Sequence, residues 1–231
     1  MSAEASTSTS RKRVRDEDGD GFTRDDGGRT GKAARGLDGE AVPGVPGLTV
    51  VTDAVSPEDE LALLAQVDNG EWMTSLKRRV QHYGYRYDYR SRKVAPESYL
   101  GELPEWSKQV MARLGAAGDG EFDQLIVNEY EPGQGISAHI DCKPCFAGVI
   151  VSVSLGSGAV MRFAKDDVVC DVWLPARSAV VLTGPARWEW SHSIAGRKSD
   201  KVGGVRIKRT RRVSLTFRTV RLAGSEPATG E

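Results

Sequence analysis

The chain has 231 residues and a mass of 25.0 kDa, which suits one catalytic domain with a short appendage and excludes two full-sized enzymes. Its 32 lysines and arginines equal its 32 aspartates and glutamates, so the net charge indicates neither a nucleic-acid nor a membrane partner. No apolar run could span a bilayer, no secretory signal is recognisable, and the cysteines are only three. These features predict a soluble, intracellular protein of the cytoplasm or nucleus with no membrane partner.

The first part of the chain is rich in Gly, Ser, Arg and Asp and has almost no large apolar side chains. Such a segment cannot bury enough surface to offset the entropy of ordering, so we interpret residues 1–47 as a disordered tail. The basic run Arg11–Arg15 resembles a nuclear address, but solvated tails often carry such runs without a signal, and we favour that interpretation. Residues 48–222 are assigned to the folded domain and 223–231 to a flexible C-terminus.

One strand and two helices are predicted in the first half of the domain. Leu48–Val51 forms the strand, and Ser56 followed by Pro57 then supplies the N-cap and first residue of a helix. The apolar positions expected on that helix are Leu61, Leu64 and Val67. The second helix is expected after Trp106, with the apolar positions Val110, Met111 and Leu114.

Beyond Phe122 the sequence changes to short strand-like runs separated by turn residues. The runs are Gln124–Tyr130, Val149–Leu155, Ala159–Ala164, Val168–Leu174, Ser178–Leu182, Arg187–Ile194 and Arg211–Val220. This spacing predicts a sandwich or barrel, mainly β with bracing helices. There is no Gly-rich phosphate loop, which argues against a nucleotide-hydrolysing enzyme.

Two histidines and one aspartate have a spacing that suits metal ligands. His139 and Asp141 are two residues apart, so in an extended strand both side chains point to one face. His192, on a later strand, is the candidate third ligand. Two imidazoles and one carboxylate leave open the coordination positions that non-haem iron oxygenases need. The alternative is a hydrogen-bonded strand pair with an ordinary core histidine.

Polar residues alternate with apolar ones on two predicted strands. On the last strand the polar positions are Arg212, Ser214, Thr216 and Arg218. On the strand before the metal motif they are Asn128 and Tyr130. Inside a barrel two guanidinium groups would be costly unless an anion lay against them, and arginine matches carboxylates well. An outward-facing basic strand would produce the same alternation.

In combination these motifs resemble the AlkB family of nucleic-acid dioxygenases. The similarity covers roughly residues 72–222 and rests on an ordered set of segments rather than on any single one. The segments are Asn128–Asp141, Phe146, Ser152–Ser157, Met161–Phe163 and Arg212–Arg218. The resemblance implies a distorted double-stranded β-helix, a relative of the jelly roll, with helices against its larger sheet.

The resemblance also implies roles for individual residues. His139, Asp141 and His192 would ligate Fe(II), with 2-oxoglutarate and O2 as cosubstrates. The cosubstrate would contact Arg212 and Tyr130 at its distal carboxylate and Arg218 and Asn128 near its metal-bound end, with Ser214 between the arginines. In the family, 2-oxoglutarate becomes succinate while a carbon on a nucleobase is hydroxylated, and a hydroxylated N-methyl group leaves as formaldehyde.

A basic and aromatic segment before the barrel is similar to the nucleotide-recognition lid of this family. Arg78, Arg79, Tyr83 and Tyr85 are its candidate substrate-binding residues, because such side chains hold phosphates and stack on bases. The alternative is an edge hairpin whose tyrosines cover the core. A second basic region extends from residue 197 to 221, with Asp200 alone opposing it.

Lys143 departs from the family pattern, since relatives that repair cationic methylated bases commonly have an acid there. A lysine would repel such a base, so the sequence looks closer to the branch that hydroxylates the modified wobble uridine of transfer RNA. We therefore expect a nucleic-acid partner, RNA rather than DNA, and a monomeric enzyme. The alternatives are an N-methyl demethylase, a degenerate nucleic-acid-binding relative, and a structural zinc site formed by Cys142, Cys145, Cys170 and His139.

Overall fold

The computed structural model describes residues 39–74, 76–114 and 122–222. Most strands within these ranges belong to two sheets. The larger sheet contains the seven strands β1 (Glu40–Ala41), β2 (Leu48–Val51), β3 (Val80–Tyr83), β4 (Gln124–Tyr130), β6 (Phe146–Leu155), β9 (Ala179–Leu182) and β13 (Arg212–Val220). The smaller sheet contains β5 (Ile136–His139), β7 (Ala159–Lys165), β8 (Val168–Leu174) and β10 (Ser191–Ile194). A separate hairpin consists of β11 (Ser199–Val202) and β12 (Val205–Lys208).

The strand order explains how distant motifs meet. In the larger sheet the order is β1-β2-β9-β6-β13-β4-β3, so the last strand, β13, lies between β4 and β6. In the smaller sheet the order is β5-β10-β7-β8, which brings the two histidine-bearing strands together. All pairings are antiparallel, as expected for a barrel of hairpins and crossovers.

One core lies between the larger sheet and two helices, α1 (Pro57–Asp68) and α2 (Glu105–Arg113). As predicted, Ser56 caps α1, its hydroxyl accepting a hydrogen bond from the backbone N–H of Asp59 at 3.1 Å. Of the apolar positions expected on α1, Leu61 is exposed, and the residues buried are Leu63 and Val67. A third short helix, α3, spans Gly184–Trp188, and no helix among the described residues is long and apolar enough to cross a membrane.

A second core lies between the two sheets, where apolar side chains such as Ile150, Phe163 and Leu182 pack together. Near the centre of the larger sheet this inner face becomes polar. Arg212 and Arg218 are only 4% and 8% exposed, so the polar face of β13 points inward. The alternative of an outward-facing basic strand is therefore wrong.

Two predicted boundaries differ from the structure. Residues 39–47, assigned to the tail, include β1 and the buried Val45, so packed structure begins before residue 48. The predicted strand Arg187–Ile194 begins inside a helix, because Pro185 at the helix start favours α3, and only Ser191–Ile194 pairs as a strand. The tail before residue 39 and the C-terminus after residue 222 lie outside the described residues.

Candidate active site

The two histidines and the aspartate come together at the ends of strands in the smaller sheet. His139 ends β5 and is the direct cross-strand partner of His192 on β10, while Asp141 follows β5 by two residues. One ligand atom from each residue lies within 4.8 Å of the others. Among the described residues, no other set of three His, Cys, Asp or Glu side chains is this close.

Each imidazole has one ring nitrogen available to a metal. Nδ1 of His139 lies 2.9 Å from the carbonyl oxygen of Ser137, which can only accept, so Nδ1 carries the proton and Nε2 is free to coordinate. Burial lowers the pKa of His192 to about 4, although Asp141 opposes the shift. Nε2 of His192 lies 3.7 Å from Oδ2 of Asp141. Neutral imidazoles are the form that binds metal.

The aspartate is ionised throughout the physiological range. Burial raises the pKa of Asp141, but the charge of Arg218 is the largest of the opposing effects that outweigh it, and the pKa falls to about 2. Nη2 of Arg218 donates to Oδ1 of Asp141 at 2.7 Å. The site thus offers two imidazole nitrogens and one carboxylate oxygen from one side, the donor set of non-haem iron(II) sites. These residues fit the metal that the sequence predicts.

A small cavity of about 60 Å³ adjoins the triad between the two sheets. Its polar floor is a hydroxyl cluster on β6 and β13, in which Ser152 contacts both Ser214 at 2.9 Å and Thr216 at 3.2 Å. The other polar residues that line it are Asn128, Tyr130 and Arg218. These are the residues expected to hold 2-oxoglutarate, apart from Arg212.

Arg212 lies beside this cavity, behind Tyr130. Its guanidinium carbon is 5.5 Å from the centre of the Tyr130 ring, and its Nη2 donates to Oγ of Ser154 at 2.8 Å. Burial lowers the pKa of Arg212. Its Nε and that of Arg218 are buried and have no hydrogen-bond partner among the described residues. Buried donors without partners are costly, and a carboxylate ligand would satisfy such donors.

Arg78, expected to contact substrate, contacts two residues that are expected to hold 2-oxoglutarate. Its Nε donates to Oδ1 of Asn128 at 2.8 Å, and its guanidinium carbon lies 5.9 Å from the centres of the Tyr130 and Tyr89 rings. It also lines an open groove of about 720 Å³ whose wall includes Ile136, a residue shared with the small cavity. Arg78 therefore stands where the groove meets the cavity.

The structure does not bring the other predicted substrate residues into the cavity. Arg79 pairs with the buried Glu129 and lies over the ring of Trp72. Tyr83 packs against the core beneath the helices, and Tyr85 packs against Tyr99 at 5.0 Å between ring centres. Lys143 is exposed and does not line the cavity.

Sequence reasoning missed three residues near the site. Tyr87 packs on Phe146 at 5.7 Å and Tyr89 on His82 at 5.7 Å between ring centres. The alternating tyrosines from residue 85 to 89 were the signal that could have identified them. Arg187, on α3, is buried and donates to the carbonyl of Asp141. No pattern in the sequence pointed to it.

The cysteines do not form a zinc site. Cys142 and Cys145 are joined by a disulfide, and Cys170 is free on β8. A disulfide removes the thiolates that zinc requires, so the proposed zinc knot is wrong. The pairing also differs from the reduced cysteines expected of an intracellular protein.

Comparison with known proteins identifies the family of the chain. Residues 57–218 match the model of the 2OG-Fe(II) oxygenase superfamily. The uncharacterized protein L905 of Acanthamoeba polyphaga mimivirus is 35% identical over 182 residues, covering 75% of this chain and 85% of that protein. The "tRNA (carboxymethyluridine(34)-5-O)-methyltransferase ALKBH8" of Mus musculus is 41% identical over 209 residues, and the "Alkylated DNA repair protein ALKBH8 homolog" of Arabidopsis thaliana is 38% identical over 204. The matches cover 79% and 77% of this chain but only 31% of the mouse and 59% of the Arabidopsis protein.

Solved structures show the same fold at lower identity. OsALKBH1 superposes with a TM-score of 0.58 at 19% identity, covering 75% of this chain and 97% of that one. A Pseudomonas putida prolyl-4-hydroxylase superposes with a TM-score of 0.50 at 20% identity, covering 77% of this chain and 94% of that one. The predicted double-stranded β-helix, the AlkB-like resemblance and the Fe(II) and 2-oxoglutarate requirement are thereby confirmed. The chain belongs to the 2OG-Fe(II) oxygenase superfamily, as an AlkB-like dioxygenase.

Proposed function

We propose that the chain hydroxylates a modified nucleobase in nucleic acid, in RNA and specifically transfer RNA rather than in DNA. The observation that carries the proposal is a triad of two imidazoles and one carboxylate that lies near buried guanidinium donors without partners and beside an open groove. The names of the mouse and Arabidopsis relatives, which concern carboxymethyluridine 34 of tRNA and the repair of alkylated DNA, support a nucleobase as the target.

In this proposal the residues of the chain bind and orient, and bound iron supplies the oxidation. One oxygen atom of O2 ends in the hydroxyl group of the product, while the other oxidises 2-oxoglutarate to succinate and carbon dioxide. His139, Asp141 and His192 would hold the metal, and Arg218 fixes the carboxylate of Asp141 by the 2.7 Å hydrogen bond. Arg212 and Tyr130 would hold the distal carboxylate of 2-oxoglutarate.

The charges around the cavity favour a neutral base over a cationic one. Asp141 is the one carboxylate among the described residues that line the cavity, and it is already paired with Arg218. Arg78 stands at the mouth with no carboxylate partner among the described residues. A cationic methylated base would be repelled there. We therefore place a modified uridine ahead of the second candidate, oxidative demethylation of an N-methylated base.

The test is a comparison of substrates with the full chain, Fe(II), 2-oxoglutarate and O2. We expect transfer RNA carrying a carboxymethyl-type wobble uridine to gain the mass of one oxygen atom and to stimulate succinate formation. Oligonucleotides with N-methylated adenine or cytosine are the comparison. Loss of a methyl group as formaldehyde from these, with no change in the wobble nucleoside, would establish the second candidate instead.

The matched variants are His192→Ala and Asp141→Ala, with His82→Asn as a histidine control outside the triad. The two triad variants should lose succinate formation while keeping the circular-dichroism spectrum of the unaltered protein, whereas His82→Asn should retain turnover at neutral pH. Full turnover by Asp141→Ala would contradict the proposed catalytic site. Nucleic-acid binding without any turnover by the unaltered protein would point to a non-catalytic relative.

A further inference from the structure

The hairpin of β11 and β12 carries three cations on one face. Lys201 is directly opposite Arg206, and Lys208 is opposite Ser199, so these side chains project to the same side. Lys201, Arg206 and Lys208 are all exposed. Among the described residues, none of the three has a carboxylate partner, and Arg206 donates only to Oγ of Ser199 at 3.1 Å.

This arrangement is unfavourable in isolation. Like charges directly opposite on paired strands destabilise a hairpin, and an isolated two-stranded hairpin is marginally stable at best. No third strand pairs with β11 or β12 in the described part of the chain. A cationic face of this kind is stabilised when an anion neutralises it.

The base of the hairpin is nevertheless fixed firmly to the barrel. Asp200, on the opposite face, is buried and accepts hydrogen bonds from Arg209 at 2.5 and 2.8 Å and from Arg197 at 2.8 Å. Arg209 also donates to the carbonyl of Ala195 at 2.7 Å. Because these two arginines already neutralise Asp200, its charge does not offset the three exposed cations.

The hairpin lies next to the groove that leads to the metal. Arg197, at the hairpin base, lines this groove, as do Lys77 and Arg78. Ile136 and Ile194 line both the groove and the small cavity beside the triad. A polyanion that contacts the hairpin can therefore extend along the groove toward the cavity.

We infer that the cationic face of the hairpin, formed by Lys201, Arg206 and Lys208, binds the phosphodiester backbone of a folded RNA at a distance from the nucleotide that is oxidised. The inference rests on the proposed function, because it assumes a nucleic-acid substrate. Three exposed cations that contact no aromatic ring among the described residues suit phosphates rather than bases, so this contact would supply affinity without sequence preference.

The experiment measures the affinity of the full chain for an unmodified transfer RNA transcript as a function of KCl concentration. The hairpin variant combines Lys201→Gln, Arg206→Gln and Lys208→Gln. The control variant removes the same charge from surfaces outside the basic region 197–221 by combining Lys108→Gln, Lys165→Gln and Arg177→Gln. Both variants are checked by thermal unfolding, and the hairpin variant should not melt lower, since the change relieves repulsion between its strands.

The hairpin variant should bind the transcript about tenfold more weakly near 0.1 M KCl. Its plot of the logarithm of the association constant against the logarithm of the KCl concentration should be less steep than that of the unaltered protein, by about 2. The control variant should keep the affinity and slope of the unaltered protein. Equal losses in both variants, or no loss in the hairpin variant, would overturn the inference. So would a hairpin variant that loses binding to anionic phospholipid vesicles and keeps its affinity for RNA.

The two proposals fail in different ways. If the unaltered protein oxidises no nucleic acid but the hairpin variant still loses RNA affinity selectively, the proposed reaction is wrong and the hairpin contact stands. If the protein oxidises RNA and the hairpin variant binds and oxidises it at the same concentrations, the reaction stands and the hairpin contact is wrong.

Discussion

The arginines around the triad differ in what their donors already contact. Arg218 donates a hydrogen bond to Asp141, so its charge is partly neutralised by the predicted metal ligand. Arg212 donates to the neutral hydroxyl of Ser154 and has no carboxylate partner among the described residues. Arg78 likewise contacts only neutral groups there. Arg212 and Arg78 are therefore the two guanidinium groups of this set whose charge is not paired with a carboxylate among the described residues.

Arg78→Ala should raise the 2-oxoglutarate concentration needed for half-maximal succinate formation by about tenfold, because a charge-assisted hydrogen bond is worth roughly 1.5–3 kcal/mol. The neighbouring Lys77→Ala is the control, since Lys77 lines the groove but not the cavity. Arg212→Ala should show a larger increase, because Arg212 is the deeper of the two cations. If Arg78→Ala weakened only nucleic-acid binding, Arg78 would belong to the substrate site as the sequence predicted.

His82 makes folding sensitive to mild acid. Burial, with the nearby Arg86 and Arg218, lowers its pKa to about 4, and its Nδ1 accepts a hydrogen bond from the backbone N–H of Tyr87 at 3.2 Å. Between pH 6.5 and 4 the unfolded chain binds a proton at this histidine that the folded chain does not. Stability therefore rises with pH across this window and falls as the solution is acidified.

Between pH 6.5 and 5, the free energy of unfolding should fall by about 1–2 kcal/mol more in the unaltered protein than in His82→Asn. Each pKa unit corresponds to about 1.4 kcal/mol, and the site is partly solvated. The asparagine keeps an acceptor near the position of Nδ1 but does not titrate. Urea unfolding at both pH values measures the difference, and carboxylates contribute equally to both proteins. Parallel pH profiles would show that His82 does not titrate in this range.

At the scale of elements, α3 holds the loop that carries the metal aspartate. Arg187 is 1% exposed and donates to the carbonyls of Asp141 at 3.1 Å and Cys142 at 3.2 Å. It also donates to Phe146 at 3.1 Å and Ala147 at 3.0 Å, at the start of β6. One side chain thus fixes both ends of the loop between β5 and β6.

Arg187→Met should lower the free energy of unfolding by about 3 kcal/mol, because several buried carbonyls lose their donors. It should also weaken iron binding, since the loop positions Asp141. Arg162→Met is the control, because Arg162 is exposed and its pair with Asp171 at 2.7 Å should contribute less than about 1 kcal/mol. Equal destabilisation of the two variants by urea would contradict the role given to Arg187.

Elements with a strong local pattern could be predicted from the sequence. The bounds of β4 and β8 agree with the predicted runs, because alternating and β-branched residues mark them and turn residues end them. The start of α1 follows from its Ser-Pro cap. The triad could be predicted as well, because ligand chemistry restricts it to a few residue types.

The remaining site residues depend on contacts that sequence spacing does not determine. Arg78 and Arg79 are neighbours, yet Arg78 points to Asn128 in the cavity and Arg79 to Glu129 on the opposite face of β4. Which neighbour points inward depends on strand register, and a shift of one residue exchanges the faces. The segment 76–79 precedes β3 and lacks the alternation that would have revealed this register.

At the scale of the whole molecule, the N-terminal segment supports the site through α3. The backbone N–H of Ala186 donates to the carbonyl of Pro46 at 2.9 Å, and that of Thr183 donates to Gly47 at 2.8 Å. Gly47 has a φ of +85°, and a Cβ there would lie 2.2 Å from the Thr183 carbonyl oxygen, so only glycine permits this approach. Val45 is buried in the core between the sheets. The segment therefore positions the start of the helix that carries Arg187.

A chain that begins at Gly39 should melt at the temperature of the full chain and keep its 2-oxoglutarate turnover. A chain that begins at Leu48 should have a free energy of unfolding about 3 kcal/mol lower. This truncation removes a buried valine, the pairing of β1 with β2 and the carbonyl acceptors for α3. It should also bind iron more weakly than the Gly39 chain, since Arg187 would no longer be held against the Asp141 loop. Thermal unfolding and iron titration of the two truncated chains measure both effects. If the Leu48 chain matched the Gly39 chain in both, residues 39–47 would be dispensable and the originally predicted boundary would stand.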